Sequence, residues 1–94
     1  MMVYLKVQFT VGWKKRIEKD IKKMPDREQE KFVQLVHDLM EKGPIQNNWP
    51  NFSSLGANKY HCHLSYHWVA CWKTENENII IEVYYVGSRE NAPY

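Results

Sequence analysis

Ninety-four residues fit one domain, so residues 1–94 read as a single unit with room for one modest core. An apolar fraction of 44% excludes wholesale disorder, and no apolar run approaches the roughly 20 residues of a membrane helix. Met1–Thr10 carries Lys6 and Gln8 and lacks the apolar core and cleavage site of a secretory leader, so a cytoplasmic chain with Cys62 and Cys71 reduced is expected.

Met2–Phe9 alternates, with Val3, Leu5, Val7 and Phe9 on one side and Tyr4, Lys6 and Gln8 on the other, which is the period of a half-buried strand. Gly12 is expected to break it. Trp13, Ile17, Ile21 and Met24 then recur at helical spacing, and Pro25 stops the helix. The helix is basic. Lys14, Lys15, Arg16, Lys19, Lys22 and Lys23 face only Glu18 and Asp20, while the whole chain carries a net charge of just +2. Such asymmetry turns a positive surface toward a polyanion, although a charge run is most often only a solvated helix face.

Asp26 with Gln29 three residues later resembles a capping box and opens a second helix. Phe32, Leu35, Val36, Leu39 and Met40 form its core face, and Gly43-Pro44 its stop. A short turn between the two predicts an antiparallel helical hairpin. Residues 44–58 read as an irregular connection pinned by Trp49, Phe52 and Leu55. Three strands follow at Tyr60–Leu64, Trp68–Trp72 and Ile79–Val86. The expected fold is α+β, in the order β-α-α-β-β-β, an antiparallel sheet with the helical hairpin packed on one face.

Alternation assigns the faces. Tyr60, Cys62 and Leu64, with Ile79, Ile81, Val83 and Tyr85, suit the core. His61, His63, Glu82 and Tyr84 are then expected together on the uncovered face, since a buried charge there would need a partner. Two histidines two residues apart on a strand give one face two groups that titrate near neutral pH. Glu82 is a candidate base or orienting carboxylate. Arg89, just past Gly87, offers a planar fork for phosphate oxygens, and Tyr94 offers a ring or a hydroxyl. A base, an acid and a phosphate clamp suffice for RNA cleavage without a metal. Each residue taken alone is ordinary polar surface. His61, His63, His67 and a cysteine also permit a zinc site, but Cys62 and Cys71 are nine apart and no zinc-type pairing occurs, so no metal and no cofactor is expected.

Leu55-Gly56, Lys59-Tyr60-His61-Cys62-His63-Leu64, Trp68-Val69-Ala70-Cys71-Trp72 and Val86-Gly87-Ser88-Arg89-Glu90, with Tyr94 beyond, resemble the C-terminal half of RelE/ParE toxins. The motif likeness spans about residues 50–94, and the order of elements extends it to nearly the whole chain. The resemblance implies the toxin of a toxin–antitoxin pair, a ribosome-dependent endoribonuclease that cuts mRNA by 2′-hydroxyl attack. It also implies a cognate antitoxin as partner, with the toxin a monomer or part of a toxin–antitoxin hetero-oligomer. His61 and His63 match positions where RelE-type members place lysines, Arg89 matches their transition-state arginine, and Tyr94 their late tyrosine. Lys14, Lys15, Arg16, Lys19, Lys22, Lys23, Lys59 and Tyr84 would contact RNA. Val69 stands where many members have an arginine, with His67, Lys59 or Lys73 the available substitutes, and no further helix is expected after Tyr94. The alternatives are a ParE-type inhibitor of DNA gyrase, which needs neither histidine, and a non-catalytic RNA- or protein-binding module.

Overall fold

The structure, a computed structural model, describes residues 9–75 and 79–94. The expected strand Met2–Phe9 lies outside them except for Phe9. The first described strand, β1, is Thr10–Trp13, so the chain stays extended through Gly12 instead of breaking there. Parallel pairing with the last strand, including Gly12 opposite Glu82, supplies the hydrogen bonds that outweigh glycine's weak strand preference. Trp13 consequently belongs to β1 and not to the helix. Its ring meets Phe32 edge-on at 5.3 Å, and its indole N–H donates to Glu18 Oε1 at 2.9 Å.

The basic helix α1 spans Lys15–Lys23 and buries Ile17 and Met24, with Ile21 half-buried beside them. Pro25 holds the cap position of helix α2, Asp26–Lys42, so Asp26 moves into the first turn and no side-chain cap forms. Gln29 serves the preceding helix instead: its amide donates to the carbonyl of Met24 at 2.8 Å and of Lys22 at 3.4 Å. These are carbonyls that a helix end leaves unpaired. Phe32, Leu35 and Leu39 are buried as expected, whereas Met40 faces solvent. Gly43 ends α2 at φ 92°, and a Cβ there would meet the Phe9 ring at 2.6 Å.

The connection after α2 is better ordered than its composition indicates. Gln46 donates to the carbonyls of Gly43 and Asp38, and the Trp49 indole donates to Asp38 Oδ2 at 2.8 Å. It also contains a strand that the sequence conceals, β2, Ser53–Gly56. Too short and polar to alternate, β2 exists because it pairs with β3, Lys59–His63. Ala57 and Asn58 turn the hairpin with φ of 50° and 61°, the left-handed pair that suits a two-residue hairpin.

β4 is Trp68–Glu75 and β5 is Ile80–Ser88, and a 3₁₀ turn at Arg89–Asn91 follows. The five strands lie in the order β1-β5-β4-β3-β2. Since β1 runs parallel to β5, the sheet is mixed and not wholly antiparallel. Alternation reports which face a residue takes but not which way a strand runs, so direction was beyond the sequence pattern.

Both helices contribute to a core on one face of the sheet, with Cys62, Leu64, Ala70, Trp72, Ile81, Val83 and Val86 beneath them. Trp72 is its centre, fully buried, with its indole donating to the Pro44 carbonyl at 3.0 Å and its ring stacked on Phe52 and Tyr60. A bulge in β5 changes the expected faces. Cys71 pairs with Tyr85 but Trp72 pairs with Val83, which leaves Tyr84 as the extra residue. After the bulge Val86, not Tyr85, enters the core. Ile79 is also outside it, half exposed in the turn before β5.

Candidate functional site

Cross-strand pairing lays out the uncovered face in rows. Ser53, His61 and Cys71 form one row; His63, Val69 and Gly87 form the next toward the β3–β4 turn; Lys59, Lys73 and Glu82 form the next in the other direction. Partners across an antiparallel pair share a face, so the pairing alone puts both histidines opposite the helices.

His61 is 8% exposed. Its Nδ1 lies 3.1 Å from Ser53 Oγ, and its ring centre lies 4.3 Å from that of Tyr94 and 5.8 Å from that of His63. The segment after the 3₁₀ turn therefore folds back over this face and lays Tyr94 on His61. Burial, then the nearby His63, lowers the His61 pKa, and the Ser53 contact only partly opposes them. His63 is half-buried, and its pKa is lowered by burial and by the charge of Arg89. Both imidazoles thus favour the neutral form, which accepts a proton.

Arg89 is placed by its own backbone, whose N–H donates to the His67 carbonyl at 2.8 Å and ties the 3₁₀ turn to the β3–β4 turn. Its guanidinium sits 4.8 Å from the Tyr66 ring centre. Arg89 and His63 line one open cleft with Pro50, Asn51, Ser65 and Tyr66. Tyr94 keeps its proton beyond the ordinary phenol range, chiefly through burial.

The tyrosine of the bulge, Tyr84, contacts Cys71, and burial pushes both pKa values up to about 12. Lys59 Nζ stands 5.7 Å from the Tyr84 ring centre. Glu82 does not join the histidines. It pairs with Lys73 at 3.8 Å, and two strand spacings, about 10 Å, separate its strand from that of His61. The rows and the Lys73 partner, neither readable from alternation, account for this correction. Val69, at the position of the arginine that the toxin resemblance leads one to expect, is fully buried, and Lys73 is engaged by Glu82.

Lys14, Lys15, Arg16, Lys19, Lys22 and Lys23 are all exposed, but α1 packs on the face opposite the histidines. Lys23 shares a cleft with Tyr85, Gly87, Ser88 and Asn91 at the end of β5. Ser53 and Tyr66 are the neighbours that sequence reasoning did not single out. Ser53 belongs to a strand without a pattern; Tyr66 had a signal, an aromatic in a polar turn beside the histidine strand. Among the described residues no three His, Cys, Asp or Glu side chains gather to hold a metal. Nor is any described helix long and apolar enough to cross a membrane.

No protein-family profile matches the chain, and no characterised protein matches it by sequence. Solved structures do match. The RelE–RelB complex of Pyrococcus horikoshii aligns over 90% of this chain and 99% of that one, with a TM-score of 0.71 and 12% identity. The free Escherichia coli RelE toxin, as a doubly substituted mutant, aligns over 90% and 87% with a TM-score of 0.70 and 17% identity. The E. coli DinJ–YafQ toxin–antitoxin complex aligns over 94% and 100% with a TM-score of 0.67 and 15% identity. Two helices on one face of a five-stranded mixed sheet, matched over nearly the full length of each of these chains, give this protein the RelE-type toxin fold.

Proposed function

We propose that the protein is the toxin of a toxin–antitoxin pair and acts in the cytoplasm as an endoribonuclease that cuts ribosome-bound mRNA without a metal. One observation carries this reading: His63 and Arg89 meet at an open cleft on the uncovered face, with the His61 and Tyr94 rings in tilted contact alongside. Neutral His63 takes the proton of a ribose 2′-hydroxyl, and the oxygen attacks the adjacent phosphorus. Arg89 stabilises the charge that grows on the phosphoryl oxygens. Tyr94, which remains protonated well above neutral pH, donates to the leaving 5′-oxygen, and the proton that His63 took passes back to it by way of His61, so that both groups are restored. The products are a 2′,3′-cyclic phosphate and a 5′-hydroxyl end.

Lys59 and Tyr84 extend the surface along which RNA would lie, and the bases of α1 would hold ribosomal RNA by its phosphates. Glu82, tied to Lys73, has no catalytic part in this scheme. The complexes of structurally similar toxins with RelB and DinJ support a protein antitoxin as partner.

The test is tightly induced expression with mapping of mRNA 5′ ends in cells. The expected result is new 5′-hydroxyl ends within coding regions for the natural chain and none for a double variant, His63→Ala with Arg89→Ala. Growth arrest with intact mRNA would overturn the reading and favour a gyrase inhibitor; neither arrest nor cleavage would favour a binding module.

A further inference from the structure

Tyr66 is the most exposed large hydrophobic side chain among the described residues, at 69%. Packing does not explain it. It stands in the turn between β3 and β4, on the rim of the cleft that holds His63 and Arg89. Arg89 lies over the ring at 4.8 Å, and the His67 ring meets Tyr66 at 4.7 Å and 75°. The same His67 accepts the backbone N–H of Arg89. Ring and guanidinium are therefore set together from both sides, which limits the freedom that a long arginine otherwise keeps.

Single-stranded RNA offers two things to such a pair. Its phosphates take the guanidinium as a fork, and its unpaired bases stack on aromatic rings and on guanidinium planes. A phosphodiester held between His63 and Arg89 leaves the flanking base at the cleft rim, where Tyr66 stands.

We propose that Tyr66, with Arg89 against it, is a stacking site for one nucleobase next to the scissile phosphate. This deepens the ribonuclease reading above and rests on it. The site tolerates any base by its face, so it fixes the register of the strand rather than its sequence.

The probe is a ribosome programmed with mRNA that carries 2-aminopurine at one of the three exposed codon positions and a 2′-deoxy sugar at the cleaved bond. The natural chain, Tyr66→Phe and Tyr66→Trp are expected to quench the fluorophore at a single position. Tyr66→Leu is expected to co-sediment with the ribosome yet lose the quenching, and to cleave unmodified mRNA about 5- to 100-fold more slowly. Arg89→Lys, which keeps a cation for the phosphate but not the guanidinium plane, is expected to slow cleavage yet retain quenching, which separates a stacking platform from a mere support for the arginine. If Tyr66→Leu quenches and cleaves like the natural chain, the stacking site is overturned and the ribonuclease reading stands. If the natural chain neither binds nor cleaves the programmed ribosome, both fall together.

Discussion

The two faces of the sheet are built on opposite chemistry. Under the helices lie Cys62, Leu64, Trp72, Ile81, Val83 and Val86, apolar groups sealed by α1 and α2. On the other face lie His61, His63, Lys59, Lys73, Glu82 and Tyr84, nearly all of them polar. Burial nevertheless occurs on both, since His61 is 8% exposed and Cys71 not at all. On the helical face burial is the outcome of the hydrophobic effect. On the open face it comes from Tyr94 lying over the sheet and from the bulge that adds Tyr84. The first kind holds the fold together; the second desolvates titratable groups and shifts their pKa values.

That contrast breaks most visibly at its centres. Trp72→Ala should destabilise the protein by about 3–5 kcal/mol in denaturant unfolding, since it opens a cavity and leaves the Pro44 carbonyl unpaired. His63→Ala should lower mRNA cleavage about 10²–10⁴-fold, and Arg89→Ala about 10²–10³-fold, each with stability changed by less than about 0.5 kcal/mol. An equal loss of stability and activity in either variant would erase the distinction between the faces.

Gly43→Ala tests the helical side at a junction, where left-handed backbone and the Phe9 ring both oppose a side chain. A loss of about 1–3 kcal/mol is expected in thermal unfolding.

The open face should also carry a pH signature. His61 and His63 both have folded pKa values below 6.5, so between those values and 6.5 the unfolded chain binds more protons. Their contribution to stability is therefore complete above about pH 7 and is lost as pH falls through 6.5 toward the folded values. Unfolding curves across this range should show that acid-side loss, and it should shrink in a His61→Ala, His63→Ala double variant. The acid limb of the cleavage profile should likewise fall below pH 6.5, since His63 acts in its neutral form.

The smallest effect belongs to neither face. Ala57 sits in the hairpin turn at φ 50°, which costs an L-residue about 1 kcal/mol. Ala57→Gly should therefore raise stability by up to about 1 kcal/mol and leave cleavage unchanged.

The sequence by itself determined both helices, the three strands β3, β4 and β5, and the side on which His61 and His63 stand. Periodicity is local and records burial directly: Ile17, Phe32, Leu35, Leu39, Cys62 and Trp72 are apolar because they are inside. Other features depend on partners far away in the chain. The parallel pairing of β1 with β5, the existence of β2, the bulge at Tyr84 and the binding of Glu82 to Lys73 arise only when distant strands meet. So do the contacts of His61 with Ser53 and Tyr94, and of Arg89 with Tyr66. A residue's period reveals which face it takes, but its neighbour across the sheet is set by register, and register is a property of the folded chain.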